Sequence, residues 1–403
     1  MAFSNVITSL EPSATLSIAK KVRELREAGR DVIGLTLGEP DFDTPQHIRD
    51  AAKQALDDGY THYPPVNGYP ALREAIVDKL KRDNGLVYSP NQVVVSNGAK
   101  QSVYNIVLSL VNPGDEVVLV APYWVTYAAV VHLAQGTSKV IQTGIESAYK
   151  VTPEQLDEAL NENTKLFMFN TPSNPTGSMY SKEELDALVE VLERYPNCYI
   201  MSDEIYELIT YDMEHVSLGT YASIFDRVIT VNGFSKGYAM TGWRLGYIAG
   251  PTDVVKLTEK LQGQCTSGAN AFAQMGAVAA LTGTQAPVAE MKAEFRKRRD
   301  LMFDQLKAIE GVDVIMPNGA FYFYPDLKNF VGRKTPSGEV LADISSLCLY
   351  LIESEGLALV PGNAFGTKTH VRISYAYAQE TLNDGVERLG RALASLTPVG
   401  ASV

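Results

Sequence analysis

Residues 226–250, DRVITVNGFSKGYAMTGWRLGYIAG, hold a first set of side chains able to do chemistry. The apolar run Val228–Val231 reads as a buried strand, and Asn232-Gly233 after it reads as a turn. Just beyond stands Lys236, between Ser235 and Gly237. Arg244 follows inside Trp243-Arg244-Leu245-Gly246-Tyr247, which opens a second strand-like run. A lysine at a strand tip loses its proton when desolvated near other cations, and its free amine attacks a carbonyl to form a Schiff base. A neighbouring guanidinium is a fork shaped for phosphate. An arbitrary lysine after a strand is a solvated loop residue, so the neighbours must decide.

Four other strand ends add to the case. After Val93–Val95 comes Ser96-Asn97-Gly98-Ala99-Lys100, leading into a helix expected from Gln101. A small-residue turn at a helix N-terminus exposes N–H groups and the positive end of the dipole, which suits a phosphate. After Glu116–Val120 comes Ala121-Pro122-Tyr123-Trp124, where Trp124 offers a flat aromatic face. After Lys165–Asn170 comes Thr171-Pro-Ser-Asn174-Pro-Thr-Gly177, good turn chemistry that also carries an amide. After Tyr199–Ser202 comes Asp203-Glu204-Ile205-Tyr206. A carboxylate at a buried strand end is costly unless a cation answers it. A protonated pyridine nitrogen is such a cation, and Tyr206 is close enough in sequence to reach the same ring. Taken singly, each end has an ordinary reading as a connection or as packing. Together they describe a site for pyridoxal 5′-phosphate (PLP), an aldehyde that bears a phosphate.

These residues need a scaffold that brings strand ends together. Apolar runs at 93–95, 116–120, 139–143, 165–170, 199–202, 227–231 and 244–249 alternate with helical stretches such as 181–195, where Leu185, Leu188 and Leu192 share a face. That alternation predicts an α/β fold with a mostly parallel seven-stranded sheet covered by helices, and such sheets bind ligands beyond their carboxyl ends. Helices are expected over 13–29, 45–58 and 70–84, and a strand over 31–38. Beyond Pro251 come a charged helix over 286–309 and strand-like runs at 312–316, 319–324, 357–361 and 370–375. This reads as a smaller α+β domain built from both termini: 46–295 forms the large domain, and 1–45 with 296–403 the small one.

The 403 residues are 45% hydrophobic and 20% charged, an ordinary globular composition. A net charge of −12 argues against nucleic acid or an anionic membrane as partner, while leaving acidic small substrates open. No apolar run approaches the roughly 18 residues of a membrane span. The N-terminal stretch lacks a basic region followed by an apolar one, so the cytoplasm is expected. Cys198, Cys265 and Cys348 read as reduced thiols, and the five histidines show no metal-ligand spacing, so no metal is expected.

The chain also resembles a known family along nearly its whole length, from Pro12-Ser-Ala-Thr15 to His370-Val-Arg372-Ile-Ser-Tyr375. Gly38-Glu-Pro-Asp41-Phe, Pro122-Tyr-Trp124, Asn174-Pro-Thr-Gly177, Ser202-Asp-Glu-Ile-Tyr206, Ser235-Lys236 and Met240-Thr-Gly-Trp-Arg244-Leu-Gly-Tyr247 carry the resemblance. The family is the fold-type I, PLP-dependent aminotransferases of class I, close to its bacterial aspartate aminotransferases. The resemblance implies that Lys236 forms the Schiff base, Asp203 partners the pyridine nitrogen, and Asn174 and Tyr206 donate to the ring hydroxyl. It implies that Trp124 stacks on the ring and that Gly98, Ala99, Ser235 and Arg244 hold the phosphate, with Lys100 beside them. Tyr63 is expected to reach the phosphate of a neighbouring subunit, which implies a homodimer with shared sites. Arg372 with Gly38 is expected to clamp the substrate α-carboxylate, with Trp124 and Asn174 in the same pocket.

Transamination between an L-amino acid and 2-oxoglutarate, by a ping-pong mechanism, follows as the expected activity. Lys100 is the candidate cation for the distal carboxylate of aspartate, the preferred substrate. Some relatives that use prephenate carry a lysine where this chain has Glu11, which argues against prephenate. Tyr322 and Phe323, in a family region near the substrate, keep aromatic amino acids open, and a β-lyase would share the cofactor site. Gly233-Phe-Ser235-Lys-Gly237 also matches the nucleophile elbow of α/β-hydrolases, but only His370 lies downstream and no oxyanion segment of the His-Gly-Gly type occurs. A transcription regulator built on the same fold would need a DNA-binding domain ahead of this region.

Overall fold

The alternating runs form one seven-stranded sheet in the computed structural model, which describes residues 3–12 and 14–398. Its strands are β1 (Val93–Ser96), β2 (Glu116–Ala121), β3 (Thr137–Gln142), β4 (Thr164–Asn170), β5 (Tyr199–Asp203), β6 (Val228–Gly233) and β7 (Gly246–Ala249). They lie in the order β1-β7-β6-β5-β4-β2-β3. Neighbours from β6 to β3 pair in parallel, while β7 runs antiparallel to both β6 and β1. The carboxyl ends of β1, β2, β4, β5 and β6 therefore share one edge of the sheet, and so does the start of β7. The topology collects the five chemically equipped ends, and Arg244, at that edge.

Side chains alternate between the two faces, as strand geometry requires. Val117 and Leu119 pack with Val103, Ile106 and Val107 of helix Ala99–Leu110, whereas Val118 between them packs with Leu185, Leu188 and Leu192 of helix Lys182–Glu193. Each fully buried side chain of this size contributes about 1.5–3 kcal/mol. Ser181 starts helix Lys182–Glu193 with a capping box: its hydroxyl accepts from Glu184 N–H and Glu184 accepts from Ser181 N–H.

A second core gathers chain from both ends. Short strands Tyr322–Phe323, Val371–Ser374 and Val360–Pro361 form an antiparallel sheet, and Ile33–Gly34 pairs with Leu357–Ala358. Ile33 and Leu35 join Phe295, Met302, Leu347, Leu351 and Leu389 in one cluster, contributed in part by helices Ala286–Lys307, Ile344–Glu355 and Gln379–Ala394. Among the described residues no helix is long and apolar enough to cross a membrane.

Several local expectations change. Asn232-Gly233 is not a turn but the end of β6, paired with Tyr247 and Gly246. Glu207 accepts from the Asn232 amide at 2.6 Å, which lets an asparagine stay in a buried strand. A Cβ at Gly233 would stand 2.8 Å from Gly246 Cα, so the close strand contact needs glycine. Arg244 precedes its strand and has φ 57°. The helix after β1 begins at Ala99, two residues earlier than expected, and the 31–38 strand shrinks to Ile33–Gly34. Residues 312–316 make only an isolated bridge, Asp313 to Asp326. The 357–361 run breaks between two sheets, because Val360 turns to pair with Arg372. The helix expected over 13–29 spans Ala14–Glu27, and its expected start at Ser13 lies outside the described residues.

Candidate active site

A cavity of about 230 Å³ opens beyond the carboxyl edge of the sheet. Gly38, Ala99, Lys100, Trp124, Asn174, Asp203, Tyr206, Ser235, Lys236, Arg244 and Arg372 all line it. Two expected residues do not. Gly98 stands behind Arg244, and Tyr63 is 91% exposed on the surface of the chain. Tyr322 lines the cavity, but Phe323, next on the strand, points the other way and stacks on Phe303 in the second core. No histidine lines the cavity among the described residues, so Ser235 has no base of the kind a hydrolase elbow needs.

One end of the cavity is built for an anion. Helix Ala99–Leu110 starts there with no side chain capping its first turn. Gly98 has φ 85°, and a Cβ on it would meet Arg244 Nη2 at 2.5 Å. A Cβ on Gly246 would meet Ala99 N at 2.3 Å. The two glycines let the guanidinium and the helix N-terminus crowd together. Arg244 is braced by the Thr241 carbonyl, which accepts from Nη1 at 2.8 Å.

The other end holds a carboxylate that, among the described residues, no cation partners directly. Asp203 is buried; Tyr127 Oη donates to its Oδ2 at 2.6 Å, and Ile205 N–H donates to its Oδ1 at 3.3 Å. Burial pushes its pKa up to about 6, and Tyr127 and the Ile205 N–H only partly offset this. Between the two ends lies Lys236, whose Nζ donates to the Gly38 carbonyl. Burial lowers its pKa to about 8; Glu39 opposes that shift, while Arg372 and Arg244 reinforce it. Trp124 stands beside the cavity with Tyr127 edge-on to it, ring centroids 5.6 Å apart.

Arg372 is buried and fixed. Its Nη1 donates to Asn174 Oδ1 at 3.0 Å, its Nη2 to the Thr36 carbonyl at 2.6 Å, and its plane lies over Tyr322 and Phe365. Its buried Nε has no partner among the described residues. Tyr206 and Tyr322 share a hydrogen bond at 2.7 Å between hydroxyls. Lys100 Nζ donates to Thr126 Oγ1 at 3.0 Å and lies 4.8 Å from the Trp124 ring centroid. Burial, then Arg244, lowers its pKa. An anion-binding turn, a low-pKa lysine and a buried carboxylate lacking a direct cation partner, in that order along one cavity, fit a phosphate-bearing aldehyde with a basic ring nitrogen.

Sequence reasoning missed Tyr127. Its signal was its place three residues after Trp124 at a helix start, where positions i and i+3 share a face. It also missed Thr15 and Leu16, which reach the cavity from helix Ala14–Glu27. No sequence pattern connects them to it.

The chain matches the family described as "Aminotransferase class I and II" over residues 30–389. It is 46% identical to the aspartate/prephenate aminotransferase of Cereibacter sphaeroides, covering 98% of this chain and 100% of the relative. It is 42% identical to the aspartate aminotransferase of Geobacillus stearothermophilus, covering 97% and 98%. The crystal structure of the aspartate aminotransferase from Rhizobium meliloti superposes with a TM-score of 0.95 at 38% identity, covering 98% of this chain and 100% of that one.

Proposed function

The chain belongs to the class I and II aminotransferases, and from that premise we propose that it transfers an amino group between aspartate and 2-oxoglutarate, with Lys236 as the central base. PLP, the cofactor the family implies, supplies when bound an aldehyde that carries the amino group and a ring that draws electrons from the substrate α-carbon. The observation that carries the reading is Asp203: a buried carboxylate held only by neutral donors, in the same cavity as a lysine of lowered pKa.

The residue roles are those the family resemblance implies, and the geometry supports them. Asp203 would hold the ring nitrogen as a cation, the partner its environment lacks. Ala99, Ser235 and Arg244 would hold the phosphate at the helix N-terminus, while Gly98, whose N–H donates to the Ser96 carbonyl, would only let Arg244 approach. Trp124 would lie against the ring, and Asn174 and Tyr206 would meet its hydroxyl. Arg372, held rigid by Asn174, Thr36 and two aromatic faces, would clamp the α-carboxylate with Gly38 beside it. Lys236 Nζ, free of its proton for part of the time near neutrality, would take the α-proton. Lys100, pointing into the cavity from the helix N-terminus, would meet the distal carboxylate. The two substrates would use this one cavity in turn, which is ping-pong kinetics.

Relatives named for both aspartate and prephenate do not extend prephenate to this chain. Glu11, standing where some prephenate-using relatives carry a lysine, lines a second cavity of about 970 Å³ that shares Lys100 and Arg244 with the first, and a carboxylate there cannot make the cationic contact such a lysine would. We also infer a cytoplasmic homodimer. Its support is Tyr63, a large aromatic left 91% exposed, and a second cavity whose walls include Arg244. The division into a large domain at 46–295 and a small one at 1–45 and 296–403 is part of the same reading, with Arg372 reaching the cavity from the small one.

The test is direct. Purified protein should be yellow, and borohydride should bleach it and leave PLP bonded to Lys236, read by peptide mass. A protein that stays colourless with added PLP, yet hydrolyses an ester, would overturn the reading in favour of Ser235.

A further inference from the structure

Behind Asp203, on the far face of β5, lies a buried ionic cluster that the proposed chemistry does not use. Side chains alternate along β5, so Asp203 faces the cavity while Ser202 and Glu204 face away. Glu204 is 0% exposed. Ser202 Oγ and Ser217 Oγ each donate to its Oε1 at 2.7 Å, and His215 Nε2 lies 3.0 Å from its Oε2. Its own N–H donates to the Val231 carbonyl at 2.9 Å, which locks the end of β5 to β6. The other His215 nitrogen, Nδ1, is buried without a partner among the described residues, so Glu204 is the imidazole's one hydrogen-bond partner.

The surroundings set the charge balance. Lys79, from helix Pro70–Asn84, pairs with Glu207, which also accepts from Asn84 at 2.5 Å and Asn232 at 2.6 Å. Tyr247 lies near both glutamates, Tyr88 near Glu204 and Tyr238 near Glu207, and Asp203 faces Glu204 from the cavity side. Lys79 and Glu207 cancel each other. Glu204 then depends on His215 for its counter-charge, and without it a bare carboxylate would stand next in sequence to Asp203. Burial works against a charged His215, but Glu204, then Glu207, outweigh burial and raise its pKa.

We propose that His215 and Glu204 are positioning residues: from behind β5 they fix the backbone that presents Asp203, and the charge on their pair governs how strongly Asp203 holds a cation in the cavity. The inference rests on the PLP reading of the site. Loss of the His215 charge removes a positive charge from behind Asp203 and makes the Asp203 region a stronger cation trap. Loss of both charges restores neutrality.

The test uses PLP-loaded protein and the pH titration of its visible absorbance, with PLP affinity measured alongside. His215→Gln keeps a hydrogen-bond donor near the Nε2 position but removes the charge. Its titration midpoint should move up by about half a pH unit relative to wild type. The double variant Glu204→Gln/His215→Gln should return to the wild-type midpoint. In cofactor-free protein, histidine NMR should show His215 titrating above the ordinary value of about 6.5 in wild type and below it in Glu204→Gln. Equal midpoints in His215→Gln and wild type, or an unmoved His215 titration in Glu204→Gln, would overturn the inference while leaving the PLP site standing. A wild-type protein that takes up no PLP would overturn the site and the inference together. Should His215→Gln not fold, His215→Asn, which also removes the charge, must shift the midpoint in the same direction, and no shift would overturn the proposal.

Discussion

Tyr127 and Asp203, 76 residues apart in sequence, meet through a 2.6 Å hydrogen bond in the buried floor of the cavity. Each is fully desolvated, and Asp203 pushes the Tyr127 pKa higher than burial alone does. The phenol therefore stays protonated and serves as a permanent donor to the carboxylate. Tyr127→Phe removes that donor without changing shape. A hydrogen bond to a charged group is worth about 1.5–3 kcal/mol, so PLP should bind roughly ten- to a hundredfold more weakly by equilibrium dialysis. Unchanged affinity would show that Asp203 does not need this bond.

Asp203 also predicts a pH dependence of cofactor-free stability. Its folded pKa of about 6 lies above the unfolded value of 3.8, so between these two pH values the folded state binds more protons. Its contribution is therefore stabilising at low pH and is lost as pH rises through 6. Asp203→Asn lacks this term. The difference in stability between wild type and Asp203→Asn, from denaturant melts at pH 4 to 7, should drift against wild type as pH rises. A constant difference would contradict the burial argument.

Lys236→Ala should abolish transamination while the protein still takes up PLP noncovalently, because the anion-binding turn, Trp124 and Asp203 remain. The readouts are turnover with aspartate and PLP release on denaturation without borohydride. Wild-type turnover in this variant would remove Lys236 from its assigned role.

Lys100→Ala addresses substrate choice. The loss of one charged hydrogen bond to a distal carboxylate costs about 1.5–3 kcal/mol and should appear as a raised KM for aspartate, with alanine nearly unaffected. Equal losses for the two amino acids would leave Lys100 as part of the cofactor pocket alone.

The proposed homodimer is tested by subunit complementation. Tyr63→Phe should weaken PLP binding, and Lys236→Ala should be inactive. Mixed and allowed to exchange, the two variants should give a hybrid with one intact site, built from Lys236 of one subunit and Tyr63 of its partner. Activity that never exceeds the Tyr63→Phe share of the mixture would place Tyr63 outside the site.

The sequence by itself determined the sheet and its chemistry. The β2 run Glu116–Ala121 and the β5 run Tyr199–Asp203 are short and strongly apolar, and the β5 run ends in Asp203, whose cost of burial demands a ligand or a partner. Local pattern is enough for that, because period and polarity are properties of neighbouring residues. Tertiary structure alone decided what meets what. Asn232 could sit inside β6 only because Glu207 was waiting beneath it, and Arg244 could face the start of helix Ala99–Leu110 only because β7 runs antiparallel and starts at the same edge. Tyr127 under Asp203, Thr36 behind Arg372 and His215 beside Glu204 are contacts between segments far apart along the chain, or on faces that no periodicity connects. Such contacts depend on register, crossover and strand direction, which the fold fixes as a whole.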